Sequence, residues 1–479
     1  MPTLGNVRIP GADRIPWALL AVLAVQAALS ASMVRTSTAF GDEALYLSAG
    51  HLEWSHWLHG TPIPGYQTYF SGAPVIYPPI GAIADSLGGL AAARLLSLMF
   101  MLGVTSLVWC TANRLLADER AAFFAAALFA VLAPTLHLGS FATYDAAALL
   151  LLAAATWCAA GVRSGGQTWR WMVAAGILLA LANATKYATA LYDPTVLGVA
   201  ILSSWPDVGW KTALRRAALL AAVAAALIAV LLALGGSGYL TGIRITTTGR
   251  VDGDNGASLV FAQAWSWTAV VLVPAVAGAV VCALRRRWPQ ALLLAVLALS
   301  ALLAPADQAR IQTVTSLNKH VDFGAWFAAI AAGYLLSLLS RRRVVLAAAL
   351  AALLPVTAVG TAQARAMIDW PDAAGLVTVV RPMTSHGGHF LVETTDVLQY
   401  YLPNTTWQQW SDTASNGPQY YLQRIRQHYY TVIVIGFNQT LSTDYAIALQ
   451  LSSASGYTLA AKVRSGGTVF DVWEYTGLV

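Results

Sequence analysis

Two carboxylates stand side by side at Asp42 and Glu43 in "FGDEALYL", directly after the first long apolar run of the chain. A third, Asp145 in "SFATYDAAALL", opens another apolar run, and cations recur in similar settings: Lys186 in "LANATKYATALYDP", and Lys319 with His320 in "SLNKHVDFG". A carboxylate within hydrogen-bond reach of a hydroxyl can take its proton as the oxygen attacks a carbon centre. Lysine or arginine can hold the negative charge that collects on a departing phosphate. Arg244, Arg250 and Arg310 are further cations of the intervening polar segments. Tyr46, three residues after Glu43, shares its helical face and could line such a site. Each has a plainer reading, since acids that open a helix cap it and favour its dipole, and a lone lysine near a helix end snorkels toward water.

Other chemistries have less support. His51, His56 and His59 lie on one helical stretch, the last two spaced to share a face, yet most such histidines are simply interfacial. No Walker loop, dinucleotide glycine pattern, nucleophile elbow or HExxH occurs, so nucleotide-driven transport and metalloprotease chemistry lose their usual signals. Cys110, Cys158 and Cys282 all fall within apolar runs, which argues against a disulfide or zinc framework.

The elements that must position these residues are membrane spans. Of 479 residues, 57% are hydrophobic and 10% charged, and apolar runs of about twenty residues recur to about residue 362. Spans are expected near 15–34, 90–112, 121–138, 142–161, 171–185, 188–203, 214–234, 259–283, 289–304, 322–340 and 344–362, about eleven in all. The net charge of +6 comes from short basic clusters between these runs, not from one stripe. That pattern sets membrane orientation and gives no reason to expect a nucleic-acid partner. With Arg8 and Arg14 cytoplasmic, alternation puts Arg114 and Arg120, Arg163 and Arg170, Lys211 with Arg215 and Arg216, Arg285 to Arg287, and Arg341 to Arg343 inside as well. Segments 35–89, 235–258, 305–321 and everything after 362 are then outside, and Asp42, Glu43, Asp145, Lys186, Lys319 and His320 all gather at the outer face. The two acidic sites at that face favour a shared pocket. The length of the first apolar run favours an uncleaved span over a signal peptide.

Two domains are expected: a transmembrane part over 1–362, with a structured first outer loop at 35–89, and a small extracytoplasmic α/β domain over 363–479. In the loop, residues 42–59 read as a helix, and Pro62, Pro64, Pro74, Pro78 and Pro79 break the rest of the segment. In the tail, "GLVTVV", "HFLVET", "YTVIVIGF", "YTLAAKV" and "TVFDVWEY" read as strands, and "DVLQYYL" and "PQYYLQRIRQHYY" as helices.

The membrane part resembles the GT-C fold glycosyltransferases that use polyprenyl-phosphate sugars, in the branch of protein O-mannosyltransferases and lipid A aminoarabinose transferases. The carriers are "FGDEALYLSAG", "YPPIGAIADSLGGLAAARLLS", "ATYDAAALLL", "ATKYATALYDP" and "NKHVDFGAWFAAIAAGYLL", in the family's order. The first is the most specific. The resemblance implies an α-helical polytopic enzyme that moves a hexosyl or pentosyl group from a polyprenyl-phosphate carrier to a glycan, protein or lipid acceptor at the extracytoplasmic face, usually with inversion. By position, Asp42 matches the family's first-loop acid, proposed as base or organiser, with Glu43 beside it able to exchange that role. Asp145 matches the acid of the second outer loop. Lys186, Lys319 and His320 fall where the family places basic residues near the donor phosphate. A divalent metal ion held by carboxylates is a further element such a site could use. The aromatic segments "YQTYF" and "WQQWSD" could stack on sugar rings.

The rivals are a secondary transporter or flippase of lipid-linked sugars, an envelope scaffold, and a phosphotransferase on lipid carriers. A transporter is expected to show repeated halves and mid-bilayer polar residues, whereas the ionisable residues here gather at the outer ends, Asp193 excepted. Spans rich in Ala, Leu and Val, with arginine as the main cation, fit a bacterium with a GC-rich genome and place the chain in its plasma membrane.

Overall fold

In a bilayer every backbone N–H and C=O must find its partner inside the protein, and the helix is the simplest way for this chain to do so. The computed structural model describes residues 16–161, 168–453 and 456–477; Arg8, Arg14 and Arg163 of the expected inner clusters lie outside them. Six helices among the described residues are long and apolar enough to cross a membrane: Tyr77–Leu116, Trp210–Thr246, Ala257–Leu284, Trp288–Arg310, Leu317–Leu339 and Arg343–Ala366. Trp17–Ala31 and Tyr144–Ala160 are shorter apolar helices.

The chain divides into two units. One comprises the described residues of Met1–Met33, Ser97–Ser140 and Tyr144–Met367; the other comprises those of Val34–Leu96, Phe141–Thr143 and Ile368–Val479. The first is a helical bundle built around Leu317–Leu339, whose residues from Val321 to Tyr334 are buried without interruption. Close packing of that helix depends on Gly333, where a side chain would meet the carbonyl oxygen of Ala121 at 2.2 Å. Some polar groups in this interior are paired, as in Thr135 Oγ1 to Asp322 Oδ1 at 2.7 Å and Thr105 Oγ1 to Gln26 Oε1 at 2.7 Å.

The second unit joins the first loop to the C-terminal segment. The expected loop helix forms as Gly41–His59 and packs so closely that a side chain at Gly50 would overlap the carbonyl of Pro78. Pro78 and Pro79, expected to break structure, instead start the helix Tyr77–Leu116, where a missing N–H costs nothing. That helix bends at Gly88 and Gly89, the latter at φ 66°.

The C-terminal segment folds as a five-stranded sheet of β1 (His389–Val392), β2 (Trp410–Asp412), β3 (Tyr430–Ile435), β4 (Tyr457–Ser465) and β5 (Thr468–Tyr475), in the order β2-β1-β3-β5-β4. β1 runs parallel to β2 and β3, while β5 runs antiparallel to β3 and β4. Alternation serves two cores. Phe390, Val392, Val432 and Val434 face one, and Leu391, Ile433 and Ile435 face the other. "GLVTVV" is not the expected strand but part of the helix Ala374–Thr384. Its β-branched residues suggested a strand, but Leu376, Val377 and Val380 recur at helical spacing and bury against the first core.

Glu393, just beyond β1, accepts from the N–H groups of Gly436 (3.1 Å), Asn438 (2.6 Å) and Gln439 (3.2 Å) and so ties together the ends of β1 and β3. Buried Asp444 lies against it and is pushed up to about 6, first by burial and then by its hydrogen bond to Glu393, which needs a proton between the two acids. A carboxyl raised above its unfolded value near 3.9 adds stability below that value and loses it as pH climbs through the folded one. Asp444→Asn keeps the donor without the titration. Its melting temperature should match that of the wild type near about pH 4 and move above it by about pH 7; thermal unfolding of the full chain in detergent across this range tests it, and parallel curves would refute the shared proton.

Candidate active site

The sequence-predicted residues fall into two clusters, one in each unit. In the second unit, Glu43 and Arg94 are 0% and 1% exposed. Arg94 grips both carboxylate oxygens, through Nε to Oε1 at 2.8 Å and Nη2 to Oε2 at 2.7 Å. Oε1 also accepts from the Ala142 N–H (2.8 Å), and Oε2 from the Phe40 N–H (3.0 Å). The remaining guanidinium donors reach the carbonyls of Val34 (2.8 Å), Ser37 (3.0 Å) and Thr38 (3.1 Å). Glu43 is therefore an anchor: with each oxygen accepting twice and no exposed surface, it has no geometry for the proton-taking role considered for it alongside Asp42. Arg94 escapes a sequence reading because it sits inside an apolar run, although an ionisable residue there is itself a signal.

Asp42, in the first turn of the loop helix, lines a cavity of about 400 Å³ together with Phe40, Trp370, Glu393 and Asp396. Asp396 is pushed up to about 6, chiefly by burial and then by the charges of Asp42 and Asp412. In the sequence it marks only the opening of a helical stretch. Tyr46 does not line this cavity; it is buried edge-on against Phe70 at 5.2 Å. In "WQQWSD", Trp410 is a core residue packed on Phe390, and Trp407 Nε1 donates to the carbonyl of Pro62 at 3.1 Å.

In the first unit, Asp145 opens the helix Tyr144–Ala160, Lys186 follows the helix Thr168–Thr185, and Lys319 and His320 lie in the first turn of Leu317–Leu339. The fold brings these four together. Asp145 is 0% exposed and forms an ion pair with Lys186, itself 2% exposed, within the electrostatic reach of Lys319 and His320. Lys186 Nζ also stands 5.0 Å from the ring of Tyr144. His320 Nδ1 meets Gln308 Nε2 at 2.7 Å, its carbonyl accepts from Tyr192, and the charge of Arg250 reaches it. Two of these cations, Lys186 and Lys319, are buried beside the carboxylate of Asp145, with half-buried Arg250 within electrostatic reach of His320, and positive charge held in a buried setting favours an anion.

Two expected cations are elsewhere. Arg310 is exposed and pairs with Asp307 one turn back at 2.8 Å. Arg244 is exposed at the end of Trp210–Thr246, where its carbonyl accepts from the Gly249 N–H. Asp193 receives both bonds from the Asn183 amide, at 2.9 and 3.1 Å. His51 meets Asp85 at 2.7 Å and His56 meets the carbonyl of Thr61 at 2.8 Å. Among the described residues no group of three or more His, Cys, Asp or Glu is placed to hold a metal ion.

Removing Arg94 would leave Glu43 charged and buried. Arg94→Ala should cost about 3–5 kcal/mol, read as a lower melting temperature or a failure to accumulate, with Arg94→Lys falling in between. Thermal unfolding of detergent-purified protein checks this, and an Arg94→Ala protein as stable as the wild type would show the pair to be dispensable.

Known proteins give the same architecture. The sequence model of the family described as dolichyl-phosphate-mannose-protein mannosyltransferase matches residues 81–234, and no curated protein matches the chain. ArnT from Cupriavidus metallidurans in the apo state superposes with a TM-score of 0.62 at 14% identity, over 95% of this chain and 97% of that one. The same protein bound to undecaprenyl phosphate gives a TM-score of 0.60 at 13% identity, with the same coverage. The archaeal oligosaccharyltransferase AglB from Archaeoglobus fulgidus, in complex with an inhibitory peptide and a dolichol-phosphate, gives 0.56 at 14% identity over 91% of this chain and 71% of that one. The bundle, the apolar helices and the small C-terminal sheet are thus those of the GT-C fold, and this chain is a polytopic membrane protein with that fold.

Proposed function

We propose that the chain is a glycosyltransferase that takes a sugar from a polyprenyl-phosphate carrier and transfers it, with inversion, to a hydroxyl acceptor at the extracytoplasmic face. The observation that carries this reading is the buried cluster of Lys186, Lys319 and His320 around Asp145, in a chain whose fold is shared with an ArnT structure holding undecaprenyl phosphate. A donor with its lipid tail in the bilayer presents its phosphate at the ends of the spans, where these residues lie.

In the reaction proposed, Asp42 accepts the proton of the acceptor hydroxyl as its oxygen bonds to the anomeric carbon. The bond from that carbon to the phosphate oxygen breaks on the opposite side, and the electron pair leaves with the lipid phosphate. Lys186 and Lys319 stabilise that charge, while Asp145 holds Lys186 in place between turnovers. Because the base and the leaving group act in one displacement, no covalent sugar–enzyme intermediate is needed. The transmembrane part, 1–362, then supplies the donor site, and 363–479 faces the exterior with the first loop.

The test is mass-spectrometric detection of sugar transfer in membranes supplied with a panel of polyprenyl-phosphate hexoses and pentoses. Wild-type membranes should consume one donor and yield a glycosylated product. Asp42→Asn should slow this by about 10²–10⁴-fold at an unchanged melting temperature, the usual weight of a general base. Lys186→Met should also lower turnover. If no donor is consumed while lipid-linked sugar crosses the bilayer, a transporter replaces this reading.

A further inference from the structure

The acceptor's chemistry is written in the cavity beside Asp42. β1 and β3 lie adjacent and parallel, yet the chain leaves β1 toward β2 and leaves β3 toward β4 and β5, on the opposite side of the sheet. Such a reversal opens a crevice at the carboxyl ends of the two strands, the usual ligand position of open α/β sheets. The cavity of about 400 Å³ occupies this place, lined by Glu393 and Asp396 following β1 and by Asn438 and Gln439 following β3. Its volume falls in the range of about 300–1,000 Å³ typical of small-ligand pockets.

The walls are fixed before any ligand arrives. Glu393 holds three N–H groups of the loop after β3, and a side chain at Gly436 would collide with its carboxylate. Trp370 packs on Phe40 and Phe141, with centroids 5.1 and 5.7 Å away, and its Nε1 donates to the carbonyl of Thr38 at 3.0 Å. Preformed walls lower the ordering cost of binding.

The lining also selects the ligand. It contains carboxyl groups, two carboxamides and a flat indole, and among the described lining residues no Lys, Arg or His. An anionic ligand would meet like charge from the carboxylates and no cation to offset it. Hydroxyls, in contrast, can donate to Asp42 and Asp396 and exchange hydrogen bonds with Asn438 and Gln439, while an aromatic wall suits the apolar face of a sugar ring. We infer that this crevice binds a neutral, hydroxyl-rich saccharide, and, resting on the transferase reading above, that this saccharide is the acceptor whose hydroxyl meets Asp42.

Saturation-transfer NMR on the full-length protein in detergent tests this, with methyl glycosides of neutral hexoses and pentoses, a hexose 6-phosphate and lysine amide as probes. At least one methyl glycoside should receive saturation on its ring protons, and the phosphate and the amine should not. Thr394 is an exposed lining residue, so Thr394→Trp should fill the crevice and abolish the signal at an unchanged melting temperature. Gln439→Ala should weaken binding by up to about tenfold, the worth of a hydrogen bond or two. Glycoside signals that survive Thr394→Trp, a preference for the phosphate or for lysine amide, or no binding at all would each overturn the inference. Donor consumption measured on the same wild-type preparation separates the two readings: bound glycoside without donor turnover sinks the transferase, and donor turnover without bound glycoside sinks the crevice.

Discussion

Neither Arg94 nor Glu43 could remain where it is without the other, because a lone charge of either sign in that interior would cost several kcal/mol. Together they fix more than each other. Arg94 draws in the carbonyls of Val34, Ser37 and Thr38, and Glu43 reaches back to the N–H of Phe40, so the turn that leads into the loop helix has one path. Successive residues on a helix point about 100° apart. Once Glu43 is held inward, Asp42 must face another way, and that way is the cavity. The acid that could do chemistry is aimed by the acid that cannot.

The two units present opposite electrostatics. The cluster around Asp145 holds the buried cations Lys186 and Lys319, in surroundings where charge is little screened. The cavity around Asp42 is acidic, with Asp396 as a second carboxyl raised by burial and by its neighbours. One environment suits a phosphate and the other suits hydroxyls. A carboxyl that titrates near neutrality can donate as well as accept, which widens the set of hydroxyl orientations the cavity can meet.

Much of this was legible in the sequence, for identifiable reasons. Asp145, Lys186, Lys319 and His320 each stood at the border of an apolar run, and ionisable residues at such borders share a depth in the membrane before any contact is known. The loop helix announced itself through Gly41 and the acids after it. The strands β1, β3, β4 and β5 came from alternation and β-branched residues. What failed did so where a local signal was overridden by packing. "GLVTVV" carried strand composition on a helical face, Pro78 and Pro79 sat at a helix start and not in a break, and Trp410 was needed in the core. Asp396 and Arg94 were missed because their roles depend on partners far along the chain: Asp42 lies more than 350 positions from Asp396, and Glu43 lies 51 from Arg94.

The second unit is drawn from three separate stretches of chain, and this has a bearing on how the protein is made. Thr38 receives the indole of Trp370, Asp85 receives the hydroxyl of Tyr400, and the N–H of Ala39 meets the hydroxyl of Tyr401, across separations of 332, 315 and 362 residues. At about 5–20 residues per second of synthesis, the first loop waits on the order of tens of seconds for these partners. During that interval the cavity beside Asp42 has only one of its walls. The acid therefore acquires its setting at the end of translation, and a ribosome that stalls late would release a chain with its bundle inserted and its chemistry unassembled.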